Sequence, residues 1–198
     1  LTAGRRKATI PCLPADEYHY NASYLLNKQL ASISPEELSR FISTCAHCAG
    51  TEMSRLALTG VLLEFENGVA KGTCTDAYTF AHVESPAIVF ENASLLIPIT
   101  ALQKAAKLLS DSESDIVVSG GTSLCRMDGD VSQITFSLLS ATYVDYRRLM
   151  HHDAPTTVTV SCRELLSCVR QCSIAANDNQ KGCVTVNVEN NRFTVRAA

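Results

Sequence analysis

Three segments of the chain carry one pattern, and that repetition limits the possible folds more than any other feature. They read "ISPEELSRFISTC", "IPITALQKAAKLL" and "VSCRELLSCVRQC". Aligned, Ser34, Pro98 and Ser161 coincide, 64 residues apart (34 to 98) and then 63 (98 to 161). Each segment starts at the end of a β-type run. It continues with apolar residues at i, i+3, i+4 and i+7, the stripe of a helix packed on a sheet. The stripes are Leu38, Phe41, Ile42 and Cys45; Leu102, Ala105, Ala106 and Leu109; and Leu165, Cys168, Val169 and Cys172. Ser34 or Thr100 can cap its helix, and Pro35 is tolerated in a first turn.

Strand-like runs follow each helix. "ALTGVLLEFENGVAKGTCT" predicts two strands around Glu66-Asn67-Gly68, since Asn-Gly is a strong hairpin signal, and "TFAHVE" predicts a third. After the second helix, "DIVVSG", "TSLCRMDGD" and "SQITFSLL" predict three more, with Gly120-Gly121 and Asp128-Gly129 as turns. After the third helix, "GCVTVNVENNRFTVRAA" predicts two strands around Asn190-Asn191. The unit is one strand, one helix and three strands, present twice in full and about two-thirds of a third time. The expected class is α+β, with antiparallel sheets.

Composition agrees with a packed chain, at 46% hydrophobic and 19% charged residues over 198 positions. No apolar run approaches the roughly 20 residues of a membrane span. "LTAGRRKATIPC" has no apolar core of signal-peptide length. Nine cysteines, an odd number without scaffold spacing, point to a reducing cytoplasmic setting. Asn21-Ala-Ser and Asn92-Ala-Ser match the glycosylation pattern, a triplet that arises often by chance. The formal charge of −3 does not mark a nucleic-acid binder by itself, although a local basic face is compatible with it.

"CAHCAG", residues 45–50, suggests zinc, a redox pair or a haem. Cys45 occupies the slot that Leu109 fills in the next repeat, so it reads as a small buried hydrophobe. Cys48 lies a turn further on, near the helix end that Gly50 marks. Zinc needs about four ligands, and no second Cys-x-x-Cys or His-x-x-x-His completes a set. The c-type haem pattern places its histidine after the second cysteine, and here it lies between the two. The reading is core packing, with a Cys45/Cys48 redox enzyme as the alternative. His151-His152-Asp153 falls in a linker, and neither a phosphate loop nor an ordered Ser-His-Asp set accompanies it. No catalytic residue, metal or cofactor is expected.

Several phrases together resemble a known family. "RKATIPCLPADEY" resembles the strand that closes the first domain of bacterial sliding clamps, the β subunits of DNA polymerase III. "ALTGVLLEFENGVAKGTCTDAYTFAHVE" resembles the middle-domain signature, normally Leu-x-Gly-Val-x-Phe followed by Ala-Thr-Asp-Gly-His-Arg-Leu-Ala. "VDYRRLM" resembles the Phe-Pro-Asp-Tyr-Arg-Arg-Val-Ile that ends that domain, and the stretch from Thr157 onward resembles the opening of the third. The resemblance implies the DNA-clamp architecture, with helices lining a central hole and sheets outside. It implies a first-domain remnant at 1–22, a middle domain at 23–150 and a partial third domain at 151–198.

The resemblance also implies a processivity factor without catalytic activity, which encircles duplex DNA regardless of sequence. Polymerase, clamp loader and repair proteins would be held through short peptides in a cleft. The matching cleft positions are Arg55, Thr75, Asp76, Tyr78, Thr79, Phe80, Val144, Arg148 and Leu149. An apolar groove of Phe80, Val144 and Leu149, rimmed by Arg55 and Arg148, suits aliphatic or aromatic anchors. The competing reading makes Phe80 and Leu149 interdomain core and the Arg pair of "DYRR" an exposed linker. The family's Asp-Gly-His-Arg-Leu is here Asp76-Ala77-Tyr78-Thr79-Phe80, and its proline is Val144, which bears on client choice.

On the helix faces opposite the stripes lie Arg40 and Ser43, Lys104 and Lys107, and Ser167 and Arg170. Four of these six are cationic, and in the family such faces hold duplex phosphates loosely. A head-to-tail homodimer is implied, with the third-domain contact near Ile174 and Ala175, in the loop after the third helix. Ala175 is smaller than the family's usual residue. Only residues 7–13 represent the first-domain partner surface, so the chain alone is not expected to close a ring. A diverged clamp-like protein that keeps the fold without DNA binding is the further alternative.

Overall fold

The computed structural model describes residues 2–3, 6–7, 11, 14, 28–150, 156–176, 184–189 and 192–197. These fall into two units, Leu1–Arg148 and Leu149–Ala198. Most of the expected first-domain remnant, the Asn21 triplet and His151-His152-Asp153 lie outside the described residues. Near the start of the first unit, β1 (Thr2–Ala3) and β2 (Arg6–Lys7) pair antiparallel, with Thr2 opposite Lys7.

The body of the first unit holds two copies of the repeat. The first is β3 (Lys28–Ile33), α1 (Pro35–Cys45), β4 (Gly60–Glu66), β5 (Val69–Thr75) and β6 (Phe80–Pro86). After a short β7 (Ile88–Val89), the second is β8 (Ala93–Pro98), α2 (Ile99–Leu109), β9 (Ile116–Gly120), β10 (Leu124–Asp128) and β11 (Gln133–Ser137). The copies exchange their opening strands. Strand β3 pairs antiparallel with β9 of the second copy, and β8 pairs antiparallel with β4 of the first. The sheets are therefore β11-β10-β9-β3-β7 and β6-β5-β4-β8. Neither copy completes a sheet without the other. Helices α1 and α2 pack against each other, α1 also against β5 and β6, and α2 against β8 and β11.

Helix α1 follows its sequence signals. The Ser34 hydroxyl accepts from the Glu37 amide at 3.2 Å, Pro35 opens the first turn, and Glu36 and Glu37 sit at the positive end of the dipole. Leu38, Phe41, Ile42 and Cys45 are its buried residues. In α2, Leu102, Ala105 and Leu109 are buried. Pro98 rather than Thr100 is the cap residue of α2, and no side chain caps it. Thr100 lies inside the helix because the fixed φ of Pro98 already terminates the strand.

The β4–β5 turn adopts the form that Asn-Gly favours. Asn67 has φ 51° and Gly68 φ 77°, and Glu66 pairs with Val69. Gly72 on β5 admits α1, since a Cβ there would lie 2.5 Å from Cδ1 of Phe41. One core results, built on Phe41, Phe65, Leu63, Ile97, Leu102 and Ile116, each nearly inaccessible to solvent. A 3-10 segment, Met53–Thr59, links α1 to β4.

The second unit holds α4 (Cys162–Ala175) and the hairpin of β12 (Val184–Glu189) and β13 (Arg192–Ala197). The short α3 (Arg147–Met150) spans the division between units. Ser161 accepts from the Glu164 amide at 3.5 Å, so Ser34, Pro98 and Ser161 all stand at cap positions, as their alignment implies. The α4 stripe departs from expectation. Leu165, Val169 and Cys172 are half-buried and Cys168 is exposed, because a helix resting on a two-stranded hairpin has little sheet to cover it. Ile174 and Ala175 are exposed in the last turn of α4, not in a following loop; intrahelical bonding runs on to the Ala176 amide, which reaches the Cys172 carbonyl at 2.9 Å. Among the described residues, no helix is long and apolar enough to cross a membrane.

Candidate functional site

The loop between β5 and β6 is tied by its own side chains. Oδ1 of Asp76 accepts from the amides of Tyr78 at 2.8 Å and Thr79 at 2.6 Å. Oγ1 of Thr75 donates to the Thr79 carbonyl at 2.6 Å and accepts from the Ala77 amide at 3.1 Å. The amides of Thr79 and then Tyr78 hold the Asp76 carboxyl below its ordinary range by favouring its charged form. Thr75 and Asp76 thus shape the loop, which leaves Tyr78 94% exposed at its tip. Ala77 pays for the geometry with φ 79°, a conformation natural to the glycine of the family phrase.

Phe80 follows, 37% exposed, at the start of β6. Its ring stacks on His82 at 6.4 Å between centroids and on Tyr146 at 6.2 Å, with 5° and 29° between planes. Nδ1 of His82 lies 2.9 Å from the Thr73 hydroxyl, and Nε2 lies 3.2 Å from Oε1 of Glu84. Tyr146 is buried and donates its hydroxyl to Oε2 of Glu64 at 2.6 Å. Arg147 donates to Oε1 of the same carboxylate at 2.8 Å, and its guanidinium lies 5.1 Å from the Tyr146 ring centroid. Burial, then the bond to Glu64, pushes the Tyr146 phenol up to about 12. Both arginines of "DYRR" are exposed, as the linker reading expects, but Arg147 also binds Glu64 and with Tyr146 anchors the segment to β4. Arg148 is exposed and pairs with Asp145 at 3.0 Å.

Two grooves flank these residues in the first unit. One, of about 320 Å³, brings together Arg55, Asp76 and Tyr78, and adds Glu52 and Leu58, which the sequence reading missed. The other, of about 580 Å³, is walled by Leu62, Leu96, Tyr143, Val144, Asp145 and Tyr146. The expected set is thus divided, with Arg55, Asp76 and Tyr78 in one groove and Val144 in the other. Phe80 touches the second wall through Tyr146. Leu149 belongs to the second unit, and its side chain lies outside the described residues. Glu64 was also missed. Its signal is a carboxylate inside the apolar run "GVLLEF", which must find partners to be buried there.

The helix-face cations differ from one another. Arg40 is engaged, donating to Oε2 of Glu37 at 2.7 Å and to the Glu84 carbonyl at 2.8 Å. The Ser85 hydroxyl donates to the same Glu37 carboxylate, and these bonds hold that carboxyl below its ordinary range. Lys104 and Lys107 are exposed on α2 and enter no ion pair among the described residues. Arg170 is exposed on α4 of the second unit.

The cysteine motif resolves as packing. Cys45 is fully buried in the core, and Cys48 packs against it. The Cys74 thiol donates to the Cys45 carbonyl at 3.0 Å. Its contact with Cys45, together with burial, holds the Cys74 thiol well above the ordinary range. Burial pushes Cys125 up to about 12. The Cys74 and Cys125 thiols are the opposite of an activated thiolate, while the contact with Cys74 lowers the Cys45 thiol, which burial keeps from solvent.

Comparison with known proteins agrees with the fold. Residues 32–145 match the model of the DNA polymerase III beta subunit, central domain. The beta sliding clamp of Vibrio cholerae is 24% identical over 198 residues, covering 100% of this chain and 54% of that protein. A beta sliding clamp homolog, GriR, of Streptomyces muensis is 26% identical over 171 residues, covering 84% of this chain and 45% of that protein. The solved sliding clamp of Pseudomonas aeruginosa bound to griselimycin superposes with TM-score 0.83 at 20% identity, over 99% of this chain and 53% of that one. The chain spans about half the length of the curated relatives it matches. With the matched region covering the exchanged-strand body and its Phe80 loop, the chain belongs to the DNA polymerase III beta subunit family, the sliding clamps.

Proposed function

We propose that the chain serves as part of a sliding clamp, a non-catalytic processivity factor that holds replication proteins near duplex DNA. Client proteins dock through short peptides at the Phe80 face, and α2 offers Lys104 and Lys107 to duplex phosphates. The observation that carries this reading is the half-exposed Phe80 ring, held on Tyr146, which walls the groove that also takes Val144, Asp145 and Arg147. Such a surface gives an apolar anchor site with polar handles, which suits a peptide with aliphatic and aromatic side chains. The clamp of Pseudomonas aeruginosa, similar in fold, has been solved with griselimycin bound, which supports a ligand-taking surface on this architecture. Arg148 rims the cleft in this reading. Ile174 and Ala175 meet the partner subunit of a head-to-tail dimer, and the site of action is the cytoplasm.

The test is a fluorescence-anisotropy titration with a labelled peptide that carries Leu and Phe anchors. Saturable binding displaced by unlabelled peptide is the expected result. No binding at any protein concentration short of aggregation would overturn the cleft.

A further inference from the structure

We propose that Glu64 is a positioning residue of the peptide cleft, acting through Tyr146 to fix the ring of Phe80; this rests on the cleft reading above. Glu64 lies midway along β4, an interior strand of its sheet, and is only 9% exposed between the buried Leu63 and Phe65. A carboxylate is costly there unless donors meet it. Both donors come from one dipeptide some eighty residues later: Tyr146 at 2.6 Å on one oxygen and Arg147 at 2.8 Å on the other. Arg147 then lies over the Tyr146 ring at 5.1 Å, so the ring is gripped at its hydroxyl and on its face. The same ring stacks on Phe80 at 6.2 Å and reaches His82 at 5.4 Å.

The segment leading to Tyr146 has no ladder to hold it. After β11 its backbone bonds are those of Leu138 to Ser123, Leu139 to Leu96 and Tyr146 to Val144. From 140 to 146 the chain that also carries Val144 is held by the half-buried Tyr143 and, at its end, by the tether at Glu64. A purely structural anchor needs only the ion pair. Here the anchor's aromatic ring is the surface on which the candidate ligand-binding side chain rests, which couples the buried charge to the cleft.

Tyr146→Phe keeps the ring and removes the tether, and Glu64→Gln keeps the volume and removes the charge. Both are measured by peptide titration and by NMR of the Phe80 ring protons in the peptide-free protein. Each variant should weaken peptide binding about three- to tenfold, the net scale of one ordinary intramolecular hydrogen bond, since the tether acts on the ligand only through the Phe80 ring. Each should also shift the Phe80 ring resonances, with thermal unfolding still cooperative. In a Phe80→Ala background the Glu64→Gln effect on affinity should vanish, which a general loss of stability would not produce. Wild-type binding with unchanged affinity in both variants would overturn the positioning role and leave the cleft standing. No wild-type binding would overturn the cleft and this inference with it.

Discussion

Oγ1 of Thr75 donates to the carbonyl of Thr79 at 2.6 Å, closing a loop in which Ala77 holds φ 79°. The four side-chain bonds of Thr75 and Asp76 impose that conformation, and a Cβ opposes it. Ala77→Gly should therefore stabilise the first unit by about 1 kcal/mol, since the strain removed outweighs the added unfolded-state entropy. Thermal denaturation of the two proteins measures this. An unchanged or lower midpoint would show the loop to be relaxed.

Thiol reactivity should rank by burial rather than by motif. Cys162 and Cys168 are exposed, whereas Cys45, Cys74 and Cys125 are buried, and burial closes even Cys45, whose thiol the contact with Cys74 lowers, to reagent. Timed alkylation followed by peptide mass mapping should label the exposed pair first and Cys45 only on unfolding. Fast, selective labelling of Cys45 would revive the redox reading of "CAHCAG".

Asp130 links two loops, accepting from the amides of Glu113 at 2.6 Å and Ser114 at 3.0 Å and from the Ser112 and Ser114 hydroxyls. The Ser114 hydroxyl first, then these amides, lower its carboxyl to about 2. A folded-state value below the unfolded value of about 3.9 stabilises above that value. The contribution fades as pH falls through about 2. Asp130→Asn should lower stability near neutrality and flatten the acid limb of a pH–stability curve between about pH 4 and 2. Parallel curves for the two proteins would remove the assignment.

How much was legible beforehand follows from which contacts are local. The stripes of α1 and α2, the Ser34 cap and the Asn67-Gly68 turn are written within a few residues, and they were read correctly. The exchange of β3 and β8 between sheets is a long-range choice that no local pattern carries. The Thr100 cap failed because Pro98 had already stopped the strand. Arg40 reads as a free cation although Glu37, three residues before it, is a local partner; only its second partner, the Glu84 carbonyl 44 residues away, is hidden from a local pattern. Phe80 and Val144 are named only through a family phrase. The pairing of Glu64 with Tyr146 and Arg147 is not legible in the sequence, because a buried charge declares only that partners exist, not which ones.

The α2 face should dominate any DNA binding by the first unit, since Arg40 is engaged by Glu37 while Lys104 and Lys107 are exposed and enter no ion pair among the described residues. Replacing both lysines with Glu should weaken duplex binding and lower the slope of log affinity against log salt by about two. Equal loss from Arg40→Glu alone would place the contact on α1 instead.

The most direct test of the central claim is peptide affinity after Phe80→Asp. Phe80 is half-exposed at the edge of β6, so a charge there can be solvated, and the unfolding midpoint should move little. Within the cleft the same charge faces the apolar anchors of the peptide and lacks a partner. The account predicts that the anisotropy titration with the Leu- and Phe-anchored peptide loses its saturable phase in a variant that still unfolds cooperatively. Binding of wild-type strength to Phe80→Asp would contradict it.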